Sequence, residues 1–418
     1  MAKKLKIGLF GFGCVGKGLY HVLNNSTGFK ADISKICVKD RSKSRDVKSE
    51  LITYDKWDIL NDSEIDIVVE LIDDAKEAFS IVSEALKRGK NVVTANKKML
   101  ALHLKELYDI QREYKVSLLY EGSACGSIPI IRTLEEYFDN EEILNVSGIF
   151  NGTTNYILSK TINEKISYAE ALKQAQEKGF AESDPTNDVE GFDAKFKAVI
   201  IALHAFGLIV PAEEVLNIGI TGLDTQDVKY AGEKDFKIKL TPVIQRLKSN
   251  EISIFVLPRF VKSTDPLFNV ENEFNGVVLE GKFSGDQFLQ GRGAGSYPTG
   301  AAVLSDVSAL SYGYSYEYKK HHQQHPAGFT NDVILEVYFR YRTSEQAELI
   351  RFEEVKEKYT GGDYNYITGK IKLQTLIDHK DLILENKLFV ALLSDKVELA
   401  DQGINKNEKV KHLIEVIR

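Results

Sequence analysis

Leu5–Phe10 is a short apolar strand that runs directly into Gly11-Phe12-Gly13-Cys14-Val15-Gly16. A helical spacing follows from Val15 to about Leu23, and a second strand pattern, Ile33–Val38, completes the unit. No other stretch limits the fold as much. Each glycine of a G-x-G-x-x-G turn between strand and helix has a mechanical task. The first permits the tight turn, the second lets a pyrophosphate approach the backbone, and the third lets the helix pack closely on the strand. The helix N-terminus then offers its N–H groups to negative charge. Gly11, Gly13, Cys14, Val15 and Gly16 are therefore candidate cofactor-binding residues. Strand patterns at Ile65–Leu71 and Asn91–Thr94 flank a helical pattern, Glu77–Arg88, closed by Gly89. This alternation continues a doubly wound Rossmann-type parallel sheet, so the expected class is α/β.

The end of the second strand selects the cofactor. An NAD site places an acid there for the ribose hydroxyls, and an NADP site places cations for the 2′-phosphate. Here Val38-Lys39-Asp40-Arg41-Ser42-Lys43-Ser44-Arg45 sets four cations around one acid. Lys39 and Arg41 are the candidate phosphate ligands. The expectation is NADP(H), with NAD(H) as the alternative through Asp40.

The chemistry concentrates further on. Five carboxylates, Glu182, Asp184, Asp188, Glu190 and Asp193, lie between two helical patterns. Ser167-Tyr168-Ala169-Glu170 is a capping box that opens the first helix, and Gly179 stands where a left-handed cap would close it. Asp193 and Lys197 are four apart at the start of the second, so they share a face. A surface ion pair is the plain reading of such spacing; a loop that holds an ammonium group beside a proton donor is the functional one.

Ala175, Gly179, Asp184, Pro185, Asp188, Gly191, Asp193 and Lys197 occupy eight fixed positions over 23 residues. In this order they resemble the signature of the homoserine dehydrogenase family, and the resemblance runs over roughly residues 1–315. It implies that Lys97 and Lys197 are catalytic, with Lys98 the neighbouring competitor of Lys97. It also implies a substrate site formed by Glu182, Asp188 and Asp193 with Asn151 and Thr153 of Asn151-Gly152-Thr153-Thr154-Asn155-Tyr156. Gly295, in the second glycine-rich stretch Leu289–Gly300, would lie against the nicotinamide. The carbonyl oxygens of Glu121, Ala124, Gly126 and Ile128 would hold a monovalent cation, Na⁺ or K⁺. Cys125 in that loop admits a rival, a cysteine nucleophile. Asp73-Asp74 departs from the small residues usual in the family at that point.

The resemblance further implies NADP(H)-dependent interconversion of L-homoserine and L-aspartate 4-semialdehyde, in threonine, methionine and isoleucine biosynthesis. Its partners would be a small-molecule substrate and further copies of the chain, as a homodimer or homotetramer. Lysine near acids keeps its proton more tightly, so burial, or a water carrying the proton, has to oppose the acidic loop. Two other functions stay open: a related Rossmann reductase of another amino-acid aldehyde or oxo acid, and a non-catalytic NADP-binding regulator.

A net charge of −7 offers no basic footprint for nucleic acid. No apolar run reaches transmembrane length. Three cysteines without paired spacing, and a start at Met1-Ala2-Lys3-Lys4 leading at once into a strand, suggest a cytoplasmic protein. Expected domains are 1–135 for the dinucleotide, completed by part of 300–330, and 136–315 for mixed α+β substrate binding and dimerisation. A small α+β domain, 330–418, reads as a divergent ACT-like unit in which Arg342-Thr343-Ser344-Glu345-Gln346 replaces the usual Pro-Gly turn. In it, Val333–Tyr341, Ser344–Lys358 and Tyr366–Ile377 read as alternating strand and helix.

Overall fold

The computed structural model describes residues 5–362, 364–394 and 396–400. The start at Met1–Lys4 and the C-terminal range beyond 400 lie outside the described residues.

The first sheet contains β1 (Leu5–Phe10), β2 (Ala31–Cys37), β3 (Ile52–Thr53), β4 (Ile67–Glu70), β5 (Asn91–Thr94) and β6 (Leu118–Leu119). Their order is β3-β2-β1-β4-β5-β6, and every neighbouring pair is parallel. Parallel strands covered on both faces read as apolar runs, as residues Ile67–Val69 of β4 do. The covering helices include α1 (Cys14–Asn25), α2 (Ala75–Lys87) and α3 (Lys97–Tyr114). Strand order reverses between β1 and β4, so the loops after these two strands open on the ligand crevice of such sheets.

A second sheet begins with β7 (Ile143–Ile149). Then come α4 (Gly152–Asn163), α5 (Tyr168–Glu177), α6 (Phe192–Phe206), β8 (Leu216–Asn217) and α7 (Thr225–Glu233). The long antiparallel strands β9 (Lys237–Arg246), β10 (Glu251–Val261), β11 (Phe274–Gly281) and β12 (Gly285–Arg292) follow. From Asp193 to Phe206, α6 is buried on all sides. It is the central helix of the molecule, as its nearly continuous apolar sequence demands.

α8 (Ser296–Leu310) returns to the first sheet and crosses α1. A Cβ at Gly18 would lie 1.8 Å from the Ser296 carbonyl oxygen, and one at Gly300 would lie 2.6 Å from backbone of Gly18. The two helices meet backbone to backbone, so neither position admits a side chain.

The C-terminal part adds β13 (Gly328–Phe329), β14 (Val333–Tyr341), α9 (Ser344–Leu349), β15 (Glu354–Thr360), β16 (Asn365–Lys372), α10 (Leu373–Asp378), α11 (Lys380–Glu385) and β17 (Phe389–Leu392). The last four long strands run β17-β14-β16-β15, all antiparallel. This is a βαββαβ unit whose second helix is divided into α10 and α11. Its strand β17 pairs in parallel with β10 at Arg259↔Leu392, so the unit continues the second sheet. One apolar cluster spans the seam, with Val243, Phe255 and Leu257 packed among Val333, Leu335, Val337 and Phe339.

Three segments differ from the sequence expectation. The helical spacing from Ser344 stops at Leu349, and Glu354–Thr360 is an exposed edge strand. Leu289–Arg292 belongs to β12, which shortens the glycine loop to residues 293–295 and starts the next helix at Ser296. Pro298 is tolerated there because the first helical turn needs no N–H donor. β9 gave no clear strand pattern because Pro242 interrupts it. Its ladder to β7 ends at Ser147↔Val243, beside the proline that has no N–H to give.

Candidate active site

Asn96 caps α3 by accepting a hydrogen bond from the Met99 N–H at 2.9 Å. That fixes the phase of the first turn. Lys97 turns inward and its Nζ lies 2.8 Å from Asp193 Oδ1, whereas Lys98 is exposed. Lys97 keeps one side to solvent, with its side chain 43 % exposed, so it stands at the edge of a cleft.

The other Asp193 oxygen, Oδ2, meets Lys197 Nζ at 2.7 Å. This is the i,i+4 pair of the sequence, but both residues are buried, at 3 % and 6 % exposure. Lys197 also donates to the Phe150 carbonyl at 2.6 Å, which accepts a second bond from Asn275 Nδ2 at 3.1 Å. Asn151 Nδ2 donates to Asp193 Oδ2 at 2.9 Å and to Asp188 Oδ1 at 2.7 Å, while its Oδ1 caps α4 through the Thr154 N–H. Side chains from three separate segments, Lys97, Asn151 and Lys197, thus converge on one carboxylate. Gly191, at φ +83°, makes the sharp entry from the acidic loop into α6. Only glycine adopts that conformation without strain.

Burial alone would push the Asp193 carboxyl up, but Lys197 and Lys97 outweigh it and hold the acid well below the usual range. The same attraction raises Lys97, against the desolvation that would lower it. Burial, reinforced by the Asp193 charge, raises Asp188. The cluster therefore keeps Asp193 charged, Lys97 protonated and Asp188 the more basic acid.

The remaining acids divide. Glu182 and Asp184 are exposed. Asp184 Oδ1 is occupied by its own turn, accepting from Thr186 N and Oγ1 at 3.1 and 2.6 Å. Thr153 Oγ1 donates to the Phe180 carbonyl at 2.7 Å, tying α4 to the start of the loop. Gly179, at φ +74°, ends α5.

In the nucleotide crevice Gly11 turns at φ +91°, and a Cβ there would meet the Leu71 carbonyl oxygen at 2.5 Å. A Cβ on Gly16 would lie 2.4 Å from the Gly11 carbonyl oxygen. At Gly13 no atom stands within 4 Å of that position, so the backbone there faces open space, as a close phosphate contact requires. Cys14 is exposed, Val15 is half-buried, and Ser296 Oγ donates to the Cys14 carbonyl at 2.8 Å. That bond brings Gly295, at φ +123°, beside the first glycine turn. Asp74 caps α2, accepting from Lys76 and Glu77 N–H at 3.0 and 2.9 Å, which explains one of the two acids after β4. Lys39 and Arg41 are exposed, and Arg41 lies 4.5 Å above the Tyr54 ring. Asp40 Oδ1 is committed to Ser42 N and Oγ at 2.8 and 2.7 Å.

In the loop 121–128 the Glu121 and Ile128 carbonyls already accept from Ala124 and Ile130 N–H, at 3.2 and 2.8 Å. Gly126, at φ +64°, presses on the Arg292 and Gly293 carbonyls. The Glu121 side chain caps the next helix through Ile131 and Arg132 N–H at 3.0 and 2.8 Å, and burial pushes its carboxyl up to about 7. Cys125 is fully buried and burial pushes its thiol up to about 12. A thiol that holds its proton so firmly is no nucleophile. Cys125→Ser should therefore leave the turnover number unchanged, and steady-state kinetics of that variant check it.

Sequence reasoning missed three contributors. Glu70 ends β4 fully buried, accepting from Thr94 Oγ1 and Ile72 N at 2.6 Å each, and burial pushes it up to about 7. Asp306 accepts from Glu121 N at 2.8 Å inside α8. An acid ending or interrupting an apolar run was the available signal for both. Asn275 gave none. His321 bonds to the Gly207 carbonyl at 2.7 Å and His322 to the Tyr108 hydroxyl at 3.1 Å.

Comparison with known proteins adds the following. Family models described as "Homoserine dehydrogenase, NAD binding domain" and "Homoserine dehydrogenase" match residues 11–121 and 129–308. The homoserine dehydrogenase of Bacillus subtilis is 38 % identical over 317 residues, covering 74 % of this chain and 73 % of the relative. The crystal structure of a homoserine dehydrogenase from Thiobacillus denitrificans superposes with a TM-score of 0.82 at 29 % identity, over 94 % of this chain and 99 % of that one. A hyperthermophilic archaeal homoserine dehydrogenase solved in complex with NADPH gives a TM-score of 0.65 at 25 % identity, over 75 % and 99 %.

Proposed function

This chain belongs to the homoserine dehydrogenase family, and we infer from that premise how its own residues carry the reaction. It is an oxidoreductase acting on a CH–OH group, interconverting L-homoserine and L-aspartate 4-semialdehyde with a nicotinamide cofactor. The observation that carries the site assignment is the convergence of Lys97 and Lys197 on the two oxygens of Asp193.

A bound nicotinamide supplies or accepts the hydride at the substrate carbon that becomes, or was, the aldehyde. Reduction also needs one proton on the new alkoxide oxygen. Lys97, raised by Asp193 and open to the cleft, stays an ammonium and stands ready to give it. Lys197, held between Asp193 and the Phe150 carbonyl, polarises the same oxygen. In the oxidation direction a lysine must first lose its proton, so homoserine oxidation gains with rising pH. Asp193 organises the two lysines, while Asp188 and Glu182 of the same loop hold the substrate ammonium, with Asn151 and Thr153 fixing the loop to α4.

Gly11, Gly13, Cys14, Val15, Gly16 and Gly295 would hold the dinucleotide, with Lys97 near its nicotinamide end. Preference for NADP(H) rests on exposed Lys39 and Arg41 beside an Asp40 whose Oδ1 is already bonded; the archaeal relative solved with NADPH fits this reading. Replacing Lys39 and Arg41 together by Ala should raise KM for NADP⁺ roughly tenfold or more, because charge-assisted bonds to a phosphate are lost, and leave KM for NAD⁺ unchanged. Equal KM changes for both cofactors would reject the clamp.

Among the described residues no cluster of three His, Cys, Asp or Glu could hold a metal. A Na⁺ or K⁺ ion would be held by the carbonyls of Glu121, Ala124, Gly126 and Ile128, each of which has a second lone pair to offer. In this reading residues 1–135, completed by part of 300–330, serve the cofactor, 136–315 the substrate and dimerisation, and 330–418 the C-terminal function. β12, exposed over most of its length, gives a second copy an edge to meet in a homodimer.

The test is absorbance of the reduced cofactor with homoserine and each oxidised cofactor. Reduction with homoserine is expected. Faster oxidation of a different hydroxy amino acid or hydroxy acid would overturn the substrate assignment.

A further inference from the structure

The acidic loop does not hold itself in place. Val189 and Glu190 at its end lean on the segment Asn217–Gly222. The Ile220 N–H donates to the Val189 carbonyl at 2.7 Å, and Asn217 Nδ2 donates to the Glu190 carbonyl at 2.8 Å. A Cβ on Gly219 would lie 1.9 Å from the Val189 oxygen, so the two backbones touch.

The far side of that segment belongs to the C-terminal unit. A Cβ on Gly222 would lie 2.2 Å from the Leu388 carbonyl oxygen, just before β17. Arg340 of β14 donates to the Gly222 carbonyl and pairs with buried Asp227 at 2.9 Å. Lys380, in α11, is the side chain that reaches furthest. Its Nζ donates to Asn217 Oδ1 at 3.0 Å and lies 5.3 Å from the ring of Phe192, the residue before Asp193. Asn217 is 1 % exposed, so water does not compete for either of its bonds.

We propose that Lys380 and Asn217 are positioning residues for the substrate site: a C-terminal ammonium orients the Asn217 amide, which fixes the Glu190 carbonyl and through it the loop that carries Asp188. The proposal rests on the reading that this loop holds the substrate ammonium. A buried amide has two orientations, oxygen and nitrogen exchanged. Only one of them lets Asn217 accept from Lys380 and donate to Glu190. The Glu190 carbonyl, which can only accept, and the lysine, which can only donate, both hold that orientation, and the lysine anchors the amide from its oxygen side. The C-terminal unit thus sets the affinity for homoserine without touching the cofactor crevice or the lysines that act on the reacting oxygen.

The test uses the full chain and three variants. Lys380→Met should raise KM for homoserine about tenfold, with kcat and KM for the oxidised cofactor within twofold of the parent. Lys380→Arg, which still donates to Asn217, should restore KM for homoserine to within threefold. Asn217→Asp keeps the acceptor for Lys380 and removes the donor to Glu190, so it should repeat the Lys380→Met signature even if that variant fails to fold. Unchanged KM for homoserine in folded Lys380→Met or Asn217→Asp, or a parallel rise in both KM values, overturns the relay. Asp188→Asn, measured alongside, separates the two levels. If it raises KM for homoserine while the relay variants do not, only the relay falls. If it leaves KM unchanged, the loop is not the ammonium site and the underlying reading falls with it.

Discussion

Lys197→Ala should lower kcat by roughly 10²–10³, the range for losing a donor that polarises an oxygen gaining negative charge. The cofactor should bind as before, because Lys197 lies on α6, away from the glycine turns. Lys197 is 6 % exposed and is held by Asp193 Oδ2 and the Phe150 carbonyl. Water cannot readily replace an ammonium group in so closed a place. Lys197→Met, which fills the same volume, separates lost chemistry from a packing defect. Both variants should show the same kcat, with cofactor affinity followed by fluorescence titration. A folded variant retaining more than a tenth of parental kcat would remove Lys197 from the reaction.

Asp193→Asn should be nearly as damaging, for a different reason. It leaves two ammonium groups near each other without their shared counter-charge. Breaking a buried ion pair by removing one partner costs about 3–5 kcal/mol, so the thermal midpoint should fall as well. The folded pKa of Asp193 lies below its unfolded value. Its contribution to stability is therefore present above about pH 4, the ordinary aspartate range, and is lost as pH falls through the lowered folded value. The stability gap between parent and variant should close in that acidic window. The rate profile should move the other way. Asp193 is the largest cause of the raised Lys97 pKa. Without it Lys97 releases its proton at lower pH, so the rising limb of homoserine oxidation should shift downward. A pH–rate profile with an unmoved limb would mean that Lys97 is not the titrating group.

Much of the fold could be read from local patterns. The strands β1 and β5 and the helix α2 announce themselves through apolar runs, capping and glycine. The Asp193–Lys197 pair was legible because helical spacing is local. What could not be read was convergence. Lys97 and Asp193 stand 96 residues apart, and nothing in the chain shows that a cap at Asn96 would turn Lys97 rather than Lys98 toward α6. The burial of the pair was equally hidden, since a charged i,i+4 pair on a helix usually marks a wet surface. β12 escaped notice because its first half, Gly285–Phe288, is exposed on both faces, which removes the alternation that marks a strand. Glu70 and Asp306 escaped because one acid in an apolar run reads as an interruption, while in the fold each answers a specific backbone N–H.

The meeting of α1 and α8 at Gly18 and Gly300 bears on how this scaffold can be remade. Because backbone touches backbone there, the two glycine turns form one rigid jig, and any added carbon at either residue would move them apart together. Lys39 and Arg41 lie elsewhere, in an exposed loop after β2. Libraries aimed at changing cofactor choice can therefore vary the exposed residues 39–44, while codons 18 and 300 are best left unmutated. The scaffold thus has separable parts: a tunable rim and a clasp that admits no added carbon.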